Sequence, residues 1–286
     1  MTPLAPTLND RKHAAIDRFL AAAAVDDRGD LLELRPHDEG EEGPLFGGLV
    51  LMMLASAASA KAPEGTRLHA LHAQFLRPVF VGEPVEVETD VVKAGRAFTS
   101  HQLTMRQGAK PAVVALCSFT TDVDEPDTCV YDVAGLPHGA GHPDTLPFDP
   151  PEEDEHPDDW PWETRWLGPS EARPDGTYES THRHWFRIPR PLPDDPALHL
   201  SLLAYATDWT GYGGRPLALD VDDHSGMISL DHAAWFHRPS RADEWHLMDV
   251  QCLVNAGGRS TLRSVIRDLD GAIVASMAQE MLVRPI

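Results

Sequence analysis

The stretch LHALHAQFLRP at residues 68–78 returns as ISLDHAAWFHRP at residues 228–239, with His-Ala, an aromatic residue and Arg-Pro in the same order. Other landmarks keep the spacing. Pro78 and Pro239 stand 161 residues apart, and Gly95 to Gly258 and Gly108 to Gly271 are each 163 apart. Agreement this close at turn and motif positions marks a tandem duplication. The 286 residues therefore divide into two units of ordinary domain size.

Each unit reads as a helix followed by an antiparallel meander. In the first, FGGLVLMMLASAASAKA (46–62) is apolar nearly all round, and a helix hydrophobic on every face is a buried one. LHALHAQFLRP follows, then VEVETDVV, where Val85, Val87 and Val91 alternate with Glu86, Glu88 and Asp90 as in a half-buried strand. AFTSHQLTMRQ, a turn at Gly108 and AVVALCSF complete it. The second unit repeats the order: LHLSLLAYATDW (198–209) as helix, then ISLDHAAWFHRP, WHLMDVQCLV, STLRSVIRDL and AIVASMAQEMLV with turns at Gly257-Gly258 and Gly271. The expected fold class is α+β, each copy a helix laid on an antiparallel sheet. Joining the copies edge to edge removes the exposed edge of each and gives one continuous sheet.

From Asp122 to Pro161, Pro, Gly and acidic residues crowd together without periodicity, a composition that cannot bury enough apolar surface to order itself. The expected organisation is an N-terminal unit at 1–121, an acidic linker at 122–161 and a C-terminal unit at 162–286. Three cysteines, Cys117, Cys129 and Cys252, are odd in number and lack CxxC spacing, which disfavours a disulfide framework and a thiolate metal site. The net charge of -21 argues against nucleic acid as partner. With no apolar run of ~18 residues and no basic-then-apolar start, the expectation is a cytoplasmic protein without a membrane partner.

The blocks LFGGLVLM, LHALHAQFLRP, AGRAFTSHQL, YATDW, ISLDHAAWFHRP and VASMAQEMLVR, in that order across roughly 40–122 and 180–284, resemble the TesB-like, type II acyl-CoA thioesterases. The resemblance implies a double hotdog fold and hydrolysis of fatty acyl-CoA to free acid and CoA, with no metal or organic cofactor. It also implies that Asp208 in YATDW, Ser229 in ISLDH and Gln279 in SMAQEM hold the attacking water. The family pattern often has Thr where Ser229 stands, so the hydroxyl is kept and the methyl is not.

Those residue types suit the chemistry. Attack of water on a thioester needs a base within hydrogen-bond reach and donors aimed at the oxygen that turns negative. Asp208 can be the base, while Ser229 and Gln279 can both donate and accept. Gly47 and Gly48 open the first helix, where bare backbone N–H groups carry partial positive charge and suit an oxyanion. Met52, Met53, Leu54, Tyr205 and Trp209 are candidate tail-lining residues. Arg96, Arg238 and Arg259 are candidates for the CoA phosphates. Around Leu116 and Cys117 the first copy is apolar where the second has Gln279, so one site per chain is expected.

The histidines do not form an evident metal set. His69 and His72 are three apart, which on a regular strand places them on opposite faces. His182 and His184 share a face without a third ligand nearby. His72 and His232, like Arg77 and Arg238, read as equivalent positions with roles in the fold. Two other functions compete with hydrolysis. A hotdog enoyl-CoA hydratase needs an Asp and a His flanking an Asn-Pro loop, and ALDVDDHSG lacks that loop; a non-catalytic acyl-CoA sensor has no use for a water-activating acid. Pairing into a homodimer of double units is expected.

Overall fold

The computed structural model of the chain describes residues 8–29, 31–36, 43–121, 136, 139–146, 160–168, 182–210 and 226–284. Most of the 122–161 stretch, Cys129 and residues 218–225 lie outside them.

The first half supplies helices α1 (Leu8–Ala21) and α2 (Gly47–Ala60) and strands β1 (Asp26–Asp27), β2 (Leu31–Leu34), β3 (Arg67–Phe75), β4 (Val85–Lys93), β5 (Phe98–Gln107) and β6 (Lys110–Thr120). The second supplies β7 (Glu163–Trp166), β8 (His182–Arg187), α3 (Pro196–Ala206), β9 (Gly226–Ser229), β10 (Asp231–Phe236), β11 (His246–Ala256), β12 (Arg259–Arg267) and β13 (Ile273–Arg284). All the strands join one antiparallel sheet in the order β1-β2-β4-β5-β6-β3-β10-β13-β12-β11-β8-β7, with β9 beside β13. From the centre outward the halves match: β3-β6-β5-β4-β2 on one side, β10-β13-β12-β11-β8 on the other. The seam is β3 on β10, with Gln74 opposite Asp231 and Ala70 opposite Trp235. Arg67 ties it by donating from Nη1 to the Phe236 carbonyl (3.0 Å) and from Nη2 to that of His237 (3.1 Å).

Helix α2 is buried from Gly48 to Ala58, which explains its lack of a polar face: the sheet lies on one side and α3 on the other. α3 starts at Pro196, two residues before the expected start. Pro196 occupies the first turn, and the Asp195 carboxylate accepts from the Ala197 and Leu198 N–H groups. Gly108 (φ +65) and Gly271 (φ +88) take left-handed turns at equivalent hairpins. Helix α1, which the pattern of the sequence did not announce, lays Phe19 edge-on to Tyr205 (4.7 Å between ring centres) and to Trp162 (5.7 Å).

Three expectations need correction. Val85 and Val87 face the core, but Val91 is exposed, at the end of the regular β4–β5 pairing, which shifts register between Val91 and Lys93. A second irregularity, between Leu68 and Ala70, lets His69 turn outward to Ser118 Oγ (2.9 Å), so it shares the outer face with His72. Alternation across β3 therefore does not separate that pair. His72 and His232 are also not equivalent: His72 is exposed and His232 is buried. Aligned on Arg77-Pro78 and Arg238-Pro239, the counterpart of His232 is Leu71, which is buried like it.

Candidate active site

Asp208 lies in the turn that ends α3, its N–H bonded to the Tyr205 carbonyl (3.2 Å). Ser229 ends β9, and Gln279 sits mid-way along β13 on the helix side of the sheet. The fold brings the three together. Gln279 Nε2 donates to Asp208 Oδ1 at 2.7 Å and to Ser229 Oγ at 2.8 Å, and Gln279 Oε1 accepts from Thr210 Oγ1 at 2.9 Å. Asp208 thus fixes which way the amide points, since an ionised carboxylate only accepts and must face the NH2 group, which leaves Oε1 to the Thr210 hydroxyl. Asp208 and Gln279 are 2% and 1% exposed.

The fourth side of Asp208 is the start of α2. Phe46 caps this helix without a side-chain hydrogen bond, leaving its first N–H groups unserved locally, and Gly48 offers its N–H to Asp208. A Cβ on Gly47 would stand 2.5 Å from Asp208 Oδ2 and 3.3 Å from Ser229 Oγ; one on Gly48 would stand 2.5 Å from the Tyr205 carbonyl oxygen. Both glycines are therefore required, the first by the carboxylate and the second by the closeness of α2 to α3.

Burial pushes the Asp208 carboxyl up to about 7, against the opposing pull of its donors Gln279, Gly48 and Ser229. His232 lies behind it, Nδ1 at 3.8 Å from Oδ1, and burial drives the imidazole down to about 4. Thr210 and His232 belong to this cluster although the sequence reading gave neither a place in it. Thr210 follows directly on YATDW, one residue past the expected helix.

The other candidates lie apart. Met52 and Tyr205 are wholly buried in the core, Tyr205 stacked on Trp162 (5.8 Å, 15°) and edge-on to Phe46 (5.2 Å). Trp209 is half-buried among Trp162 (5.0 Å) and Phe186 (5.4 Å). Arg238 Nη1 donates to the Ile273 carbonyl, as Arg77 Nη1 does to that of Pro111 (2.7 Å), so both arginines brace equivalent strand ends. Arg259 pairs with Glu280 (3.0 Å). His182 Nε2 meets His184 Nδ1 at 3.0 Å, and among the described residues no three His, Cys, Asp or Glu side chains gather as a metal site needs. A groove of about 620 Å³ crosses the seam on the opposite, outer face, lined by His72, Gln74, Leu116, Thr261 and Glu280; Gln279 and His232 border it but turn their side chains to Asp208 and Thr207. It is separate from the Asp208 cluster.

Two tandem helix-on-sheet units sharing one sheet, with a single buried acid where one helix begins and the other ends, define a double-hotdog protein. Residues 36–120 match the acyl-CoA thioesterase N-terminal domain and residues 141–283 the acyl-CoA thioesterase C-terminal domain. Acyl-CoA thioesterase 2 of Haemophilus influenzae is 26% identical over 261 residues, covering 84% of this chain and 87% of that protein. Acyl-coenzyme A thioesterase 8 of Homo sapiens is 25% identical over 257 residues, covering 84% and 80%. The crystal structure of an acyl-CoA thioesterase II from Mycobacterium marinum superposes with a TM-score of 0.75 at 27% identity, over 95% of this chain and 98% of that one. The chain belongs to the acyl-CoA thioesterase family and is a thioester hydrolase. Among the described residues no helix is long and apolar enough to cross a membrane.

Proposed function

We propose that Asp208 is the general base of acyl-CoA hydrolysis, drawing a proton from a water that Ser229 and Gln279 help to fix. The observation that carries this reading is the meeting of the three side chains at 2.7 and 2.8 Å inside the fold. A base that titrates near 7 is matched to work at neutral pH, and a placed base contributes about 10²–10⁴ in rate. Gln279 is anchored by Thr210, so its two N–H groups hold Asp208 and Ser229 in register. The Ser229 oxygen accepts from Gln279, which leaves its hydroxyl hydrogen to point at the carboxylate or at the water.

Gly48 gives its N–H to Asp208. We assign the developing oxyanion to the neighbouring Gly47 N–H, at the positive end of α2. Thiol release from acyl-CoAs of graded tail length tests the reading: hydrolysis frees thiol, whereas a hydratase or a sensor frees none. We infer further that two chains pair through the outer sheet face, where Leu116 (52% exposed), Trp235 and Ile228 remain uncovered. Light scattering at the mass of one 31.4 kDa chain contradicts that pairing.

A further inference from the structure

We infer that His232 is a positioning residue for Asp208: its unprotonated Nδ1 faces the carboxylate and accepts the O–H of the acid formed when Asp208 takes a proton from water. This deepens, and rests on, the assignment of Asp208 as the base.

The ring's tautomer follows from its partners. Thr207 Oγ1, fully buried, donates its one hydrogen to the Ala204 carbonyl at 2.7 Å. It must therefore accept in its contact with His232 Nε2 at 2.9 Å, so Nε2 carries the hydrogen. Burial keeps the ring neutral, which leaves a lone pair on Nδ1. That atom is buried without a hydrogen-bond partner and stands 3.8 Å from Asp208 Oδ1, too close for a bridging water. Gln279 flanks the ring and favours its charged form without bonding Nδ1. Around the carboxylate the remaining groups are Gln279 from β13, Ser229 from β9 and the Gly48 N–H from α2, so His232 is the titratable side chain at Asp208 among the described residues.

A lone pair facing a carboxylate raises its affinity for a proton. When the water oxygen bonds to the carbonyl carbon, its proton passes to Asp208; with that proton on Oδ1, Nδ1 supplies the missing acceptor after a small approach. The C–S bond then breaks, the CoA sulfur leaves with the electron pair and takes the same proton back from Asp208. His232 gains and loses nothing in the cycle. The duplication offers an independent indication. The copy without the acid carries Leu71 where the other has His232, and buried Cys117 where the other has Gln279, so both polar exchanges accompany Asp208.

The test compares wild-type enzyme with Thr207→Val, His232→Asn and Asp208→Asn, following kcat and KM for acyl-CoA hydrolysis against pH, with melting temperature as the check on folding. Thr207→Val removes the acceptor of Nε2–H and frees the ring to present Nδ1–H to Asp208; His232→Asn presents an amide N–H there. Both are expected to move the acid limb of kcat down by about one pH unit or more and to lower kcat about tenfold, with KM within about twofold. Thr207→Val carries the test alone if His232→Asn fails to fold. Folded variants with an unmoved acid limb and unchanged kcat, beside an inactive Asp208→Asn, overturn the role of His232 alone. An active Asp208→Asn overturns the base assignment itself.

Discussion

Gly47 and Asp208 come from different halves of the duplicated chain, and a methyl group on Gly47 would lie 2.5 Å from the Asp208 carboxylate. The catalytic half thus depends on the other copy for a helix start bare enough to touch its acid. Gly47→Ala is expected to displace Asp208 and lower kcat about 100-fold, since misplacing a reacting group by about 1 Å costs that much. The fold should survive, because the clash is with a side chain. Steady-state hydrolysis beside a melting curve checks both.

Gly48→Ala behaves differently. Its methyl would meet the Tyr205 carbonyl oxygen at 2.5 Å, a backbone atom that cannot rotate aside, and also the Phe46 ring. Separating α2 from α3 is expected to cost about 1–3 kcal/mol, as overpacking does. Denaturant midpoints should fall further for Gly48→Ala than for Gly47→Ala.

The pH dependence of turnover follows from Asp208. A base must be ionised, and burial holds this carboxyl at about 7. Activity is expected to climb through pH 7 and to level above it, whereas an ordinary carboxylate would give an acid limb near 4. Thiol release in constant-ionic-strength buffers from pH 5 to 9 measures it.

How much of this was legible beforehand depends on the residue. The offset between Arg77-Pro78 and Arg238-Pro239 announces the duplication, and the all-apolar run after Gly47-Gly48 announces its buried helix, because both are local patterns. Residue pairing across the seam is not local. The Arg-Pro offset makes Leu71 the counterpart of His232 in the other copy, and counting it strictly would have separated His232 from His72. The irregularities at Leu68/Ala70 and Val91/Lys93 leave no mark in the alternation that precedes them. Thr210 was missed because the helix ends at Ala206 and the chain turns through 207–210, folding that hydroxyl back on Gln279. Helix α1 contributes Phe19 to the aromatic cluster around Tyr205, a contact only the folded chain creates.

Acid should weaken the fold through its buried histidines. Burial holds His182, His232 and His246 at about 4, below the ordinary value of 6.5. A depressed group contributes stability that is present above pH 6.5 and is lost as pH falls through 4, at most about 3 kcal/mol each. Asp208 runs the other way: raised from 3.8, its contribution is present below that value and lost as pH rises through about 7. Melting temperature is expected to drop between pH 6.5 and 4, because the three histidines outweigh the one carboxyl that titrates across the same range, and to stay level above about 7. A curve flat from pH 7 to 4 contradicts the neutral, buried state of these rings.

The most direct test is thiol release from a long-chain acyl-CoA by Asp208→Asn, with circular dichroism showing a native fold. If Asp208 is the base, turnover falls by about 10²–10⁴ while the fold is retained. Hydrolysis at the wild-type rate by a folded Asp208→Asn enzyme would show that another group activates the water.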